Sequence, residues 1–296
     1  MILQDSLFIK HLCPVNSTKG SSLHISHCSF ISCFSEKGAG AIYWGSSGSW
    51  IFLDNVVGKY CECLSGRNFA ILGYEIVSIS ISSFCLCEKG GHVITSGKNV
   101  LVLNSNFSKC SAGQESLLMY GNQSEVRLSH FDSCYASNYV ILSFISTLNR
   151  GSYIDVSNCT SASTTNFGVL RNDAYLFLYN SNFVDNKGHL MFCCGVNGIS
   201  VDLLNCYVSG LNSCNGKLNS KFDQNWKSKK NDIPIIIADG YRRMSHNNIR
   251  RGPGLIFLFI PMSAHLSFSF SLFPSPLPLS PSSLPLCPSP LPFPQW

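Results

Sequence analysis

The sequence predicts an all-β protein: a right-handed, single-stranded parallel β-helix of about eight turns, ending in a low-complexity tail. Three observations carry that expectation. Short alternating apolar segments recur about every 25 residues along residues 20–214, in two series that keep step. A Phe-x-x-Cys signature recurs between the two series. Charged residues make up only 12% of the chain, against 45% hydrophobic and 23 Gly. That composition excludes coiled coils and long amphipathic helices, which need Ala, Glu, Lys and Leu in quantity.

At 296 residues the chain is long enough for one or two packed cores. The first series reads SSLHIS, SWIFLD, IVSISIS, NVLVLN, EVRLS, SYIDVS, YLFLYN and ISVDLL. Its last inward apolar residue is expected at Ile25, Leu53, Ile81, Leu103, Leu128, Val156, Leu178 and Leu203. The second series is centred near Ile42, Ile71, Val93, Leu118, Ile141, Val169 and Leu190. Each segment is short, alternates or is briefly apolar, and is bounded by Gly, Asn or Ser, so each is a predicted strand. Strands this short bury a face only when stacked on neighbouring turns about 4.8 Å away.

The connectors are Phe30-Ile-Ser-Cys33, Phe84-Cys-Leu-Cys87, Phe107-Ser-Lys-Cys110, Phe131-Asp-Ser-Cys134 and Phe183-Val-Asp-Asn186. They predict an aromatic ladder beside a ladder of small polar side chains. Glycine turns follow, as in Gly38-Ala-Gly40, Gly90-Gly91-His92 and Gly188-His189, where a corner with positive φ is expected.

These motifs resemble the FxxN and GGA(I/L/V) repeats of polymorphic outer-membrane-protein-like surface proteins, also found in some parasitic protists. The resemblance covers roughly residues 20–210 and implies a right-handed β-helix of the pectin-lyase type. One site is FxxN and four are FxxC, and no terminal run of alternating strands suits an outer-membrane barrel. The protist-like version is therefore the better match. The leucine-rich repeat is the rival architecture. It needs LxxLxL with a helical convex side, whereas each turn here offers two strand-like segments.

Four regions follow: an N-terminal flank at 1–19, the repeat domain at 20–214, a basic polar linker at 215–252 and an apolar Pro/Ser/Leu-rich tail at 253–296. The linker holds nine Lys or Arg against Asp223, Asp232 and Asp239, so the net charge of +5 belongs to it. Without flanking motifs or enough stacking aromatics it is read as solvated, and no nucleic acid is expected as partner. Residues 255–273 lack Asp, Glu, Lys and Arg and meet the length of a membrane span, against which Pro261 and His265 weigh. Membrane association through them is one reading. The tail beyond is low complexity, and its Pro density forbids helix and central strand. Asp5 and Lys10 interrupt the amino terminus, which does not read as a signal peptide.

Fourteen of the 15 cysteines precede residue 215, and several recur at 23 to 25 residues, the repeat's own period. Cys61 is expected level with Cys85, and Cys63 with Cys87. Stacked small hydrophobes are the simplest reading; zinc thiolates and disulfides between rungs are the alternatives. An enzyme reading comes from fold analogy alone. Asp54, Asp132, Asp155, Asp185 and Asp202 are the acids near first strands, with no Asp-Asp pair and no Gly-His-Gly at His92 or His189. No catalytic, cofactor-binding or metal-binding residue is assigned, and no cofactor is expected. The resemblance implies a non-enzymatic surface or structural protein that contacts host or neighbouring-cell ligands through its faces, at the cell surface or membrane. The alternatives are a carbohydrate-active β-helix lyase or hydrolase, and a truncated fragment without independent function.

Overall fold

The computed structural model describes residues 1–46, 50–73, 75–113, 115–138, 140–162, 168–195, 200–210, 217–218 and 230–234. Met1–Ile249 forms one compact unit; the second, Arg250–Trp296, lies outside the described residues, as does the proposed span at 255–273. The described residues contain strands and no helix, and every strand pairing is parallel. The chain is a β-solenoid of about eight turns, as the two periodic series predict.

Nine three- to five-residue strands, from Leu7–Ile9 to Tyr207–Gly210, form the second sheet and number the rungs one to nine. Ahead of each runs a strand of the first sheet, beginning with Ile2–Gln4, Ser22–Ser26 and Trp50–Asp54. A third side completes the turn, from Val15–Ser17 and Phe34–Gly45 to Gly168–Asn172 and Leu190–Cys194. The repeat reaches further upstream than the motif does, because Leu3 pairs with Ile25 and Phe8 with Phe30 inside the segment read as a flank.

Rungs one to eight obey one short grammar. The inward residue, apolar on every rung but the seventh, where it is Gly151, is followed two positions later by a left-handed corner, and five positions after that corner by another. The first corner falls at Asp5, His27, Asn55, Ile81, Asn104, Leu128, Tyr153, Asn180 and Asn205, and the second at Lys10, Ser32, Tyr60, Leu86, Lys109, Ser133, Asn158 and Asp185, all with φ between 48° and 57°. The conformation disfavours a Cβ, yet it lets the corner amide reach the next rung: Ile81 N–H donates to Leu103 O at 3.1 Å and Lys109 N–H to Asp132 O at 2.9 Å. The glycine turns expected after the connectors lie elsewhere, and there Gly38 and Gly90 have positive φ while Gly188 does not. The two regular corners of rungs one to eight carry side chains, half of those on the first corner Asn or Asp, the types that tolerate this region best.

The corners also correct the inward residues. Ile79, Val102 and Val126 point inward, in register with Leu53 and one another, rather than Ile81, Leu103 and Leu128. SYIDVS is no first-sheet strand: Tyr153 is a corner and Val156 pairs with Phe131 and Phe183 in the second sheet. Gly151 takes the first-sheet position on that rung.

Two ladders fill the interior. Phe84, Phe107 and Phe131 stack with centroids 5.1 and 4.7 Å apart. Three residues further on lie Cys33, Cys61, Cys87, Cys110, Cys134 and Cys159, all buried free thiols. Cys61 is thus a rung neighbour of Cys87, not of Cys85. Each sulfur donates to a carbonyl one rung back, Cys110 to Phe84 O at 3.5 Å and Cys159 to Phe131 O at 3.4 Å. Asn186 ends the row. Its Nδ2 donates to Val156 O at 2.8 Å and its Oδ1 accepts from Cys159 N–H at 2.9 Å. All six thiols are shut away from solvent and bonded to backbone carbonyls, so this row is packing rather than nucleophile.

Candidate ligand-contact face

Alternation along a strand sends every second side chain outward, and on the first sheet those outward residues form rows across the rungs. One row runs Phe52, Ser78, Leu101, Glu125, Arg150, Phe177 and Asp202, in register. A second runs Trp50, Ile76, Asn99, Gln123, Leu148 and Tyr175. Two adjoining hollows open between them. The upper is lined by Ile76, Asn99, Leu101, Gln123 and Leu148, and the lower by Leu148, Arg127, Tyr175, Phe177 and Tyr179; Glu125 and Arg150 border both.

The charges on this face are unequally engaged. Glu125 is held by Arg127 on its own strand, with Arg127 Nε donating at 3.1 Å, and this contact pushes the Arg127 guanidinium further up. Arg150 is exposed and in no ion pair among the described residues. Beside it, Phe177 and Tyr179 lie 5.7 Å apart, and Tyr153 meets Tyr179 edge-on at 6.0 Å. The Tyr175 hydroxyl donates to Asp202, which pushes that phenol up to about 12 and fixes the ring. Asn or Gln, an exposed guanidinium and several aromatic rings give both an apolar platform and directional polar contacts.

The acids weighed for catalysis are dispersed. Asp54 and Asp202 are outward on the first sheet, where Ser80 and Tyr175 donate to them. Asp132 and Asp155 lie outward on the second, Asp132 held by Ser157 and Asn158 at 3.3 Å. Asp185 is a corner residue bonded by Ser209. The two Gly-His sites have opposite surroundings. His189 is exposed, whereas His92 is buried and burial lowers its pKa to about 4, with Asn68 at 3.2 Å from its Nδ1. Among the described residues no three His, Cys, Asp or Glu converge as a metal site.

The aromatic row was readable as Tyr175, Phe177 and Tyr179 alternating with buried Leu176 and Leu178, but the 27-residue register that sets Arg150 against Phe177 was not. No family model, curated protein or solved structure matches the chain, so the solenoid stands on its strand geometry and the family resemblance on its motifs.

Proposed function

We propose that this chain is a non-enzymatic surface or structural repeat protein that contacts an extended anionic ligand through the outer face of its first sheet. The observation that carries the reading is Arg150, an exposed guanidinium in no ion pair among the described residues, set between Glu125 and Phe177. A guanidinium offers bidentate donors to carboxylate or sulfate groups, and neighbouring rings supply apolar contact. The rows cross many rungs at about 4.8 Å each, which suits a chain-like ligand better than a compact one. Hydrolysis would require two carboxyls facing one bond, and the five acids are spread over two sheets and a corner.

Purified full-length chain screened against arrays of neutral and acidic oligosaccharides and acidic peptides should retain acidic members. Arg150→Ala should weaken that binding about tenfold or more, the worth of one charge-assisted hydrogen bond. Retention of neutral members alone would refute the reading. So would new reducing ends or unsaturated products from a polyuronide.

A further inference from the structure

The outward residue just before each second-sheet Phe position forms its own row: Asn106, His130, Asp155, Asn182 and Tyr207 are in register. Such positions ordinarily face water; in this row Val57 and Ser83 are buried, and so are His130, Asp155 and Asn182, at 5%, 7% and 0% exposed. Residues 230–234, from the segment read as a solvated linker, lie over them. The side-chain amide of Asn182 grips the main chain of Asn231, its Nδ2 donating to Asn231 O at 2.9 Å and its Oδ1 accepting from Asn231 N–H at 2.8 Å. Asn231 in turn donates from Nδ2 to Ser181 O at 3.4 Å, Asn182 Oδ1 at 3.2 Å and Asn205 O at 3.1 Å. Lys230 Nζ stands 3.0 Å from Asp155 Oδ2. His130 Nε2 is 3.2 Å from Pro234 O; a carbonyl only accepts, so Nε2 carries the proton.

We propose that this row is a peptide-binding groove for an extended chain carrying Lys-Asn, occupied in cis by residues 230–234. Asn182 and His130 stand two rungs apart, about 10 Å. The three steps from Asn231 to Pro234 cover that distance only if the peptide is extended along the solenoid axis, at about 3.3 Å per residue. Recognition has three parts. The Asn182 amide reads main chain irrespective of sequence, Asp155 reads the lysine, and the carbonyls of Ser181 and Asn205 read the asparagine side chain. Burial pushes the Asp155 carboxyl up, but His130 and Lys230 outweigh it and hold it below the usual carboxylate range. The occupant's own lysine thus helps to hold that charge, and a partner presenting the same pattern competes with the chain's own segment.

The test uses a labelled synthetic peptide with the sequence of residues 227–235 and full-length protein. Against the double variant Lys230→Glu, Asn231→Ala, whose cis segment is weakened, the peptide should bind about tenfold more tightly than against wild type. Adding Asp155→Asn should remove that gain. Equal binding to wild type and double variant, or no binding to a double variant that still melts cooperatively, overturns the proposal. Should the double variant not fold, limited trypsin digestion of wild type decides. The bond after Lys230 should be cut about tenfold more slowly than the bond after Lys227, and equal rates overturn it.

Discussion

Rungs five and six keep the whole motif, whereas rungs three and seven have lost its aromatic. On the intact rungs Phe107 and Phe131 lie nearly parallel, 3° apart in plane. On rung three the Phe position is Gly58, and the space is taken by Phe69 from the third side, which meets Phe84 at 4.9 Å and Phe30 at 6.0 Å. Rung seven has Val156 there and Gly151 on the first sheet. A Cβ at Gly151 would lie 2.4 Å from Leu178 Cδ2 and 2.6 Å from Ile154 Cδ1, so those two side chains occupy its place. The solenoid thus conserves filled volume rather than the residue that fills it.

The largest effect should come from opening an intact rung. Phe131→Ala should cost about 4 kcal/mol in equilibrium denaturation; a cost near zero would mean the stack is not what holds these rungs. Restoring the motif on the altered rung should also destabilise. Gly58→Phe places Cβ 2.5 Å from Phe69 Cζ and 2.9 Å from Phe84 Cδ1, and should cost about 3 kcal/mol through overpacking. Phe69→Ala added to it should recover most of the loss; simple additivity of the two changes would show that the rings do not share one site.

Rung eight replaces the thiol by an amide, and Asn186→Ala should cost about 2 kcal/mol because Cys159 N–H and Val156 O lose their partner. A neutral result would make Asn186 a mere end of the row. The smallest effect has the opposite sign. Ile81 is β-branched in a left-handed corner, so Ile81→Asn should stabilise by about 1 kcal/mol. An unchanged or lowered melting temperature would remove corner strain from the account.

The same contrast explains what could be read beforehand. Phe and Cys at fixed spacing announced the intact rungs, because one residue type repeats at one position. Ile81 and Leu128 misled because a corner side chain is invisible to alternation, and apolar residues there look like strand. SYIDVS misled more deeply. Ile154 and Val156 both point inward on either side of no corner, so a perfect alternation sits on the wrong sheet. The candidate face and the groove depend on register between rungs of unequal length and on a segment far along the chain, neither of which local pattern encodes.

The paired corners give the molecule a graduated edge. From the inward apolar residue to the thiol position the count is eight on rungs two to eight, Ile25 to Cys33 as much as Leu178 to Asn186. From thiol to the next inward residue it varies, fifteen residues from Cys87 to Val102 but twenty from Cys33 to Leu53. Insertions and deletions are therefore absorbed on the third side, while the second sheet keeps identical marks at constant pitch. Whatever lies along that edge is measured in rungs, so lengthening a third-side loop should leave it unmoved, and removing one whole turn should shift it by a single graduation.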